Sequence, residues 1–281
     1  MAGPADPSPL FAAQQASRYD RQALIRHYEA TFSCRLIVLN DFILPYSPTF
    51  FEELIHDADP AVDLHLMLRS PGGDGETAVR LARSAQARCR ELTVIVPDQA
   101  KSAGTLLALG AHHIIMGPTS DLGPVDPQLE LKPGSLVAAK DIIAAVDDAT
   151  ARVAQNQQTY PLFAAMMSDI NVIILQQARS ALARTDDLLR EAIQANPDRD
   201  AQGVVTLAAS VKAALVDSPQ THAAGFGAKA AAANGLPVID ADTKGEQWKA
   251  LWSLWTRYFA LNQRIYEGNQ ASQALGGWGA T

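Results

Sequence analysis

The stretch LTVIVPDQAKSAGTLLALGAHHIIMG, residues 92–117, decides the fold. Leu92 to Pro97 is a β-branched run that reads as a buried strand, and Ala103 to Ala111 is small and apolar, as a buried helix would be. His113 to Met116 is β-branched again. Strand, turn, helix and strand follow one another with short connections, which is the pattern of parallel strands joined by right-handed crossovers. Ser102 stands at the turn into the helix, where it can serve as a helix cap or as a nucleophile.

The same alternation extends upstream. RLIVLN (35–40) reads as a strand, and SPTFFEELIHDA as a helical segment begun by Ser47 with Pro48 near its first position. VDLHLMLRS is the next strand, PGGDG a glycine-rich turn, and ETAVRLARSAQARC an amphipathic helix. Upstream of these, Leu24, Ile25, Tyr28 and Phe32 have helical spacing. Residues 1–15, with Pro4, Pro7 and Pro9, are expected to form a loose arm. Downstream, Ala-rich helical sequence runs from about 136 to 215, with breaks at Pro161 and NPDRD. A short strand PVID (237–240) follows, then a helix expected over 244–267 whose Trp248, Leu251, Trp252, Trp255, Tyr258 and Phe259 form a packing or subunit face. The GGWGAT tail reads as loose. The domain reading is therefore an arm (1–15), an α/β domain (16–240) with inserted helices (136–215), and a C-terminal helix and tail (241–281).

Composition narrows the function classes. A chain of 281 residues with 48% hydrophobic and 19% charged residues is globular, and its formal charge of −7 argues against general nucleic-acid binding. Two cysteines make no disulfide framework, and no Cys/His spacing resembles a zinc site. The adjacent His112 and His113 are expected on opposite faces of a strand, one inward and one at the surface. No basic start precedes an apolar core at the N-terminus, and the most apolar long stretch, Tyr160 to Ala178, is interrupted by Asp169, Asn171, Gln176 and Gln177. The expectation is a cytoplasmic chain without a transmembrane segment.

Two glycine-rich readings compete. Gly73-Asp74-Gly75-Glu76-Thr77-Ala78 fits the loose form of the dinucleotide fingerprint, but two carboxylates would sit where a pyrophosphate must bind. Alternatively, Ser70-Pro71-Gly72-Gly73 aims backbone amides into a cleft, where they stabilise the oxyanion of an acyl-transfer intermediate. Ser102 then lies at the same carboxyl edge of the sheet, one strand further on, and the Ala103 amide could complete the hole.

Residues 35–130 resemble the Clp-protease/signal-peptide-peptidase-A superfamily within the crotonase-like fold, and most closely its SppA-like branch of serine dehydrogenase proteinases. SPGG, the Ser-Ala-Gly entering a helix, and LGPVDPQ at 122–128 carry the resemblance, with NGLPVID adding weaker support. It implies an α/β ClpP/crotonase-like fold with C-terminal helical additions, a serine peptidase without cofactor, a peptide or protein substrate, and homo-oligomers. It assigns Ser102 as nucleophile and Gly72-Gly73 as the oxyanion loop. The Clp histidine is missing from the segment Asp121 to Gln128. The SppA-like branch uses a lysine, which here corresponds to Lys140 in a small, apolar helix start whose burial would favour the neutral amine. A rearranged Ser102-His222-Asp126 set is the alternative. Lys101, beside Ser102, is expected to position an anion or to be a surface charge. An acyl-CoA enzyme of the same fold and a catalytically silent scaffold are the remaining readings.

Overall fold

The computed structural model describes residues 8–218, 225–270 and 274–276. In chain order the elements begin with α1 (Pro9–Phe32), β1 (Cys34–Asn40), α2 (Ser47–Ile55), β2 (Asp63–Arg69), α3 (Gly75–Gln86), β3 (Leu92–Val96), β4 (Gln99–Ala100), α4 (Ala103–Leu109), β5 (His113–Met116) and β6 (Asp121–Leu122). A hairpin of β7 (Gln128–Lys132) and β8 (Ser135–Ala138) leads into α5 (Ala139–Gln155), α6 (Tyr160–Met166), α7 (Val172–Gln194) and α8 (Ala201–Lys212). The chain continues through α9 (Ala228–Ala233), β9 (Val238–Asp240), α10 (Glu246–Leu261), β10 (Ile265–Glu267) and β11 (Ala274–Gly276).

The main sheet has the order β11-β10-β1-β2-β3-β5-β9. Strands β1, β2, β3, β5 and β9 are parallel, whereas β10 runs antiparallel to β1 and β11 antiparallel to β10. Alternation along each strand divides the apolar side chains between two cores. Ile37, Leu39, Leu66, Leu68, Val94 and Val96 face α2, α3, α4 and α7, in a core that also holds Phe51, Leu81, Leu107 and Leu189. Leu36, Val38, Met67, Ile95 and Ile115 face the other way, onto α1 and α10 with Ile25, Tyr28, Leu251 and Trp255. Burial on both faces explains why the central strands read as unbroken apolar runs. The two histidines divide as expected: the His112 ring is nearly covered and accepts from the Leu92 amide, while His113 sits at the surface near Glu91.

Three expectations change. Helix α1 already begins at Pro9, inside the stretch expected to be loose, because proline fits the first turn of a helix. Residues 136–138, expected to be helical, belong to β8, since Gly134 at φ 78° closes a hairpin against β7. The helix expected over 244–267 stops at Leu261, where Asn262 takes a left-handed cap, and Ile265–Glu267 pair with β1 instead. Its stripe is mostly internal: Trp248, Leu251, Trp255 and Tyr258 are buried, leaving Trp252 and Phe259 exposed.

Candidate active site

Two turns at the carboxyl edge of the sheet are tied together. Ser70 follows β2 and bridges to Ala100 of β4, with the Ser70 amide donating to Gln99 O (3.0 Å) and the Lys101 amide to Ser70 O (2.9 Å). Beyond Ser70, the loop is threaded against Ile43. The Ile43 amide donates to Gly72 O (2.9 Å) and the Asp74 amide to Ile43 O (2.7 Å). A Cβ on Gly73 would lie 2.0 Å from Ile43 O, and its φ of 136° is a region that side chains avoid. Gly73 is thus required by the close approach of two backbones. The Gly72 amide turns inward to Ser70 Oγ (3.2 Å). Among the described residues the amides of Gly73 and Ala103 have no acceptor, whereas that of Gly72 has Ser70 Oγ.

Ser102 occupies the turn between β4 and α4 with φ 47° and ψ −111°, and its side chain makes no capping hydrogen bond. The helix-cap reading therefore fails. A non-glycine residue held in this region costs about 1–3 kcal/mol and persists only where its surroundings impose it. Those surroundings are visible. Gly104 brings α4 against β2 so closely that a Cβ there would lie 3.2 Å from Ser70 Cβ. Thr105 Oγ1 donates to one of two buried carbonyls, Ala100 O (2.8 Å) and Gly123 O (2.9 Å), and the other stays within reach. The result is a strand-to-helix turn that sets the hydroxyl beside the glycine loop, and Ser102 Oγ lies 3.8 Å from where a Gly72 Cβ would be.

The segment Gly123–Pro127 passes this turn and carries the rest of the predicted set. The Gly123 amide donates to Ala100 O (3.0 Å), and the Ala139 amide at the start of α5 donates to Pro127 O (2.8 Å). Lys140 follows, half-buried, with Nζ donating to Val216 O (2.9 Å). Ser102 Oγ has no hydrogen bond to Lys140 among the described residues. Asp126 is buried, at 4% exposure, and His222 lies outside the described residues. Lys101 differs from expectation. Its side chain is only 13% exposed and forms an ion pair with Asp121, which also accepts the Phe226 amide. It lies across Gly123, where a Cβ would overlap Lys101 Cδ at 2.2 Å. It is a structural tie rather than a surface charge.

The model of the ClpP-like SDH-type serine proteinases matches residues 54–201, over half of the chain and including both turns. The chain belongs to this family. Two uncharacterized proteins of Methanocaldococcus jannaschii are similar, one 42% identical over 34% of this chain and 31% of its own length. The other is 35% identical over 26% of this chain and 25% of its own. The matches thus span under a third of these relatives' length. Among solved structures, a serine-to-alanine mutant of a membrane-bound stomatin-specific protease is 24% identical, covering 38% of this chain and 57% of that one, with a TM-score of 0.32. A lysine-to-alanine mutant of that protease, in complex with a substrate peptide, is 17% identical over 75% and 78%, with a TM-score of 0.44.

The two carboxylates weighed against the dinucleotide reading both have partners at the start of α3. Asp74 Oδ1 caps α3 by accepting the Thr77 amide (2.7 Å), and Glu76 pairs with Arg184 (2.6 Å), so the helix N-terminus carries its own anions. No group of three metal-ligating side chains and no helix long and apolar enough to cross a membrane occurs among the described residues. Two supporting residues escaped the sequence reading. Ser70, which holds the Gly72 amide, and Thr105, which clamps the turn, look like ordinary loop and helix hydroxyls until their long-range partners are known.

Proposed function

We propose that the chain is a serine peptidase in which Ser102 attacks a peptide carbonyl and forms an acyl-enzyme. The observation that carries this reading is the strained, uncapped Ser102 turn beside the glycine loop. Lys140 takes the proton from Ser102 Oγ as the Oγ–C bond forms. The carbonyl oxygen gains negative charge, and the amides of Gly73 and Ala103 stabilise it. Collapse breaks the C–N bond, the leaving amine takes the proton from Lys140, and water then releases the acyl group by the reverse proton path. Lys140 Nζ donates to Val216 O, a bond the neutral amine can keep while its lone pair accepts the proton. The buried Asp126 keeps a Ser102-His222-Asp126 set as the second reading.

The test is covalent labelling and turnover. A fluorophosphonate is expected to add once to the protein and not at all to Ser102→Ala. Lys140→Met should lower kcat by about a thousandfold or more while His222→Asn leaves it within a few-fold. The opposite pattern transfers the base to His222, and labelling that survives Ser102→Ala overturns the nucleophile. Retained turnover in Ser102→Ala would restore the acyl-CoA reading.

The same reading includes a homo-oligomer in the cytoplasm. Free, buried Cys34 and Cys89 agree with a reducing compartment. The assembly contact is narrower than the whole aromatic stripe: Trp252 and Phe259 are its exposed members. Trp252→Glu with Phe259→Glu should reduce the particle mass seen by light scattering, and an unchanged mass removes this face from the assembly.

A further inference from the structure

A second cleft opens at the carboxyl edge of the sheet, on the face opposite α3 and α4. Side-chain alternation places Asn40 after Leu36 and Val38 on β1, and Arg69 after His65 and Met67 on β2, so both columns end in polar groups over the α10 side. With Asp98, Arg264 and the aromatic side chains of Trp255 and Phe259, they line a cavity of about 380 Å³. That volume falls within the roughly 300–1,000 Å³ usual for small-molecule sites.

Two guanidiniums reach this cleft with no side-chain hydrogen bond among the described residues. Each has a carboxylate beside it. Arg69 Nε lies 3.7 Å from Asp98 Oδ2. Arg264 Nε lies 3.6 Å from Oδ1 of the buried Asp41, and its guanidinium stands 4.6 Å over the Phe42 ring. An arginine fork held this way matches a carboxylate in shape and charge. Asp98 and the buried Asp41 match the two guanidiniums charge for charge, so no surplus of positive charge invites a dianion, and the fork donors that carry no side-chain hydrogen bond suit a single planar carboxylate better than a phosphate. The wall of Trp255 and Phe259 suits an apolar body attached to it.

We infer that this cleft binds the free C-terminal carboxylate of a peptide ending in an aromatic or apolar residue. The site uses none of the groups assigned to acyl transfer and stands independently of that chemistry.

Isothermal titration of the full chain with N-acetylphenylalanine, its primary amide and inorganic phosphate tests it. The acid is expected to bind saturably, the amide at least about tenfold more weakly, and Arg69→Gln or Arg264→Gln to weaken the acid by a similar factor. Ser102→Ala should bind the acid unchanged, which separates this site from the peptidase reading. Equal affinity for acid and amide, displacement of the acid by phosphate at equal concentration, or no binding of the acid overturns the inference. The acid-against-amide comparison uses the unaltered protein and holds even if an arginine variant fails to fold.

Discussion

A Cβ placed on Gly72 would lie 3.1 Å from Ser102 Cβ. The glycine loop and the Ser102 turn approach this closely because residue 72 has no side chain, and its φ of 119° adds a second reason for glycine. Gly72→Ala is expected to fold with a loss of about 1–3 kcal/mol from backbone strain. Because the added methyl pushes the two turns apart, hydrolysis should fall by about 100-fold or more, the scale of losing one oxyanion donor. Thermal unfolding and peptide turnover read the two effects separately. Turnover within threefold of the unaltered protein would show that the loop is not part of the site.

Ser102 stores strain that glycine would release. At φ 47° and ψ −111° a glycine has no Cβ to clash, so Ser102→Gly removes a local cost of about 1–3 kcal/mol. Part of that gain is offset by the greater freedom of glycine in the unfolded chain, about 0.4–1 kcal/mol. The variant should be inactive and at least as stable as the parent, by about 1 kcal/mol in denaturant unfolding. A clear loss of stability would mean that the turn is not strained in the sense argued. Ser102→Ala keeps the Cβ, so it should lose activity without this gain.

How much of this was legible depended on whether the cause was local. The strand at 92–96 and the small-residue helix after it follow from β-branched and apolar runs, and the glycine loop from its composition. The placement of Asp74 and Glu76 at the start of a helix was also legible from the sequence alone. By contrast, β10 is three residues long and pairs with β1 more than 200 positions earlier, so nothing nearby in the chain marks it. The burial of Lys101 depends on the gap at Gly123 and on Asp121, which meet it only in the folded chain. The amides of Gly72 and Gly73 could not be told apart in sequence either, because the Gly72 amide is taken by Ser70 Oγ through loop geometry.

His65 makes stability depend on acidity. It lies on β2 against α1, where burial lowers its pKa from 6.5 to about 4. The Tyr28 hydroxyl, which accepts from Gln247 Nε2 (3.0 Å), is hydrogen-bonded to His65 Nδ1 (2.8 Å). The unfolded chain takes up a proton below about 6.5, which the folded chain does not accept until about 4. Stability is therefore fully present above 6.5 and is lost as pH falls toward 4, by about 3 kcal/mol from this group. His65→Phe should flatten that part of the profile in denaturant unfolding followed between pH 7 and 4. An unchanged slope would assign the loss to other groups.

Glu267 holds β10 to both back-face helices, α1 and α10. Its carboxylate accepts from Arg21 Nε (2.7 Å), Arg21 Nη2 (3.1 Å) and the Tyr258 hydroxyl (2.7 Å), and the Arg21 and Glu267 side chains are 4% and 0% exposed. Burial and the adjacent carboxylate push the Tyr258 hydroxyl well above its usual range, so it remains a donor. Removing the carboxylate strands the Arg21 guanidinium in an apolar core, which costs about 3–5 kcal/mol. Glu267→Ala should show that loss in denaturant unfolding. Arg21→Met combined with Glu267→Leu should recover most of it, since replacing both members of a buried pair by apolar groups is often close to neutral. If the double variant is as unstable as the single one, the stabilisation comes from the geometry of the network itself and not from avoiding an unpaired charge.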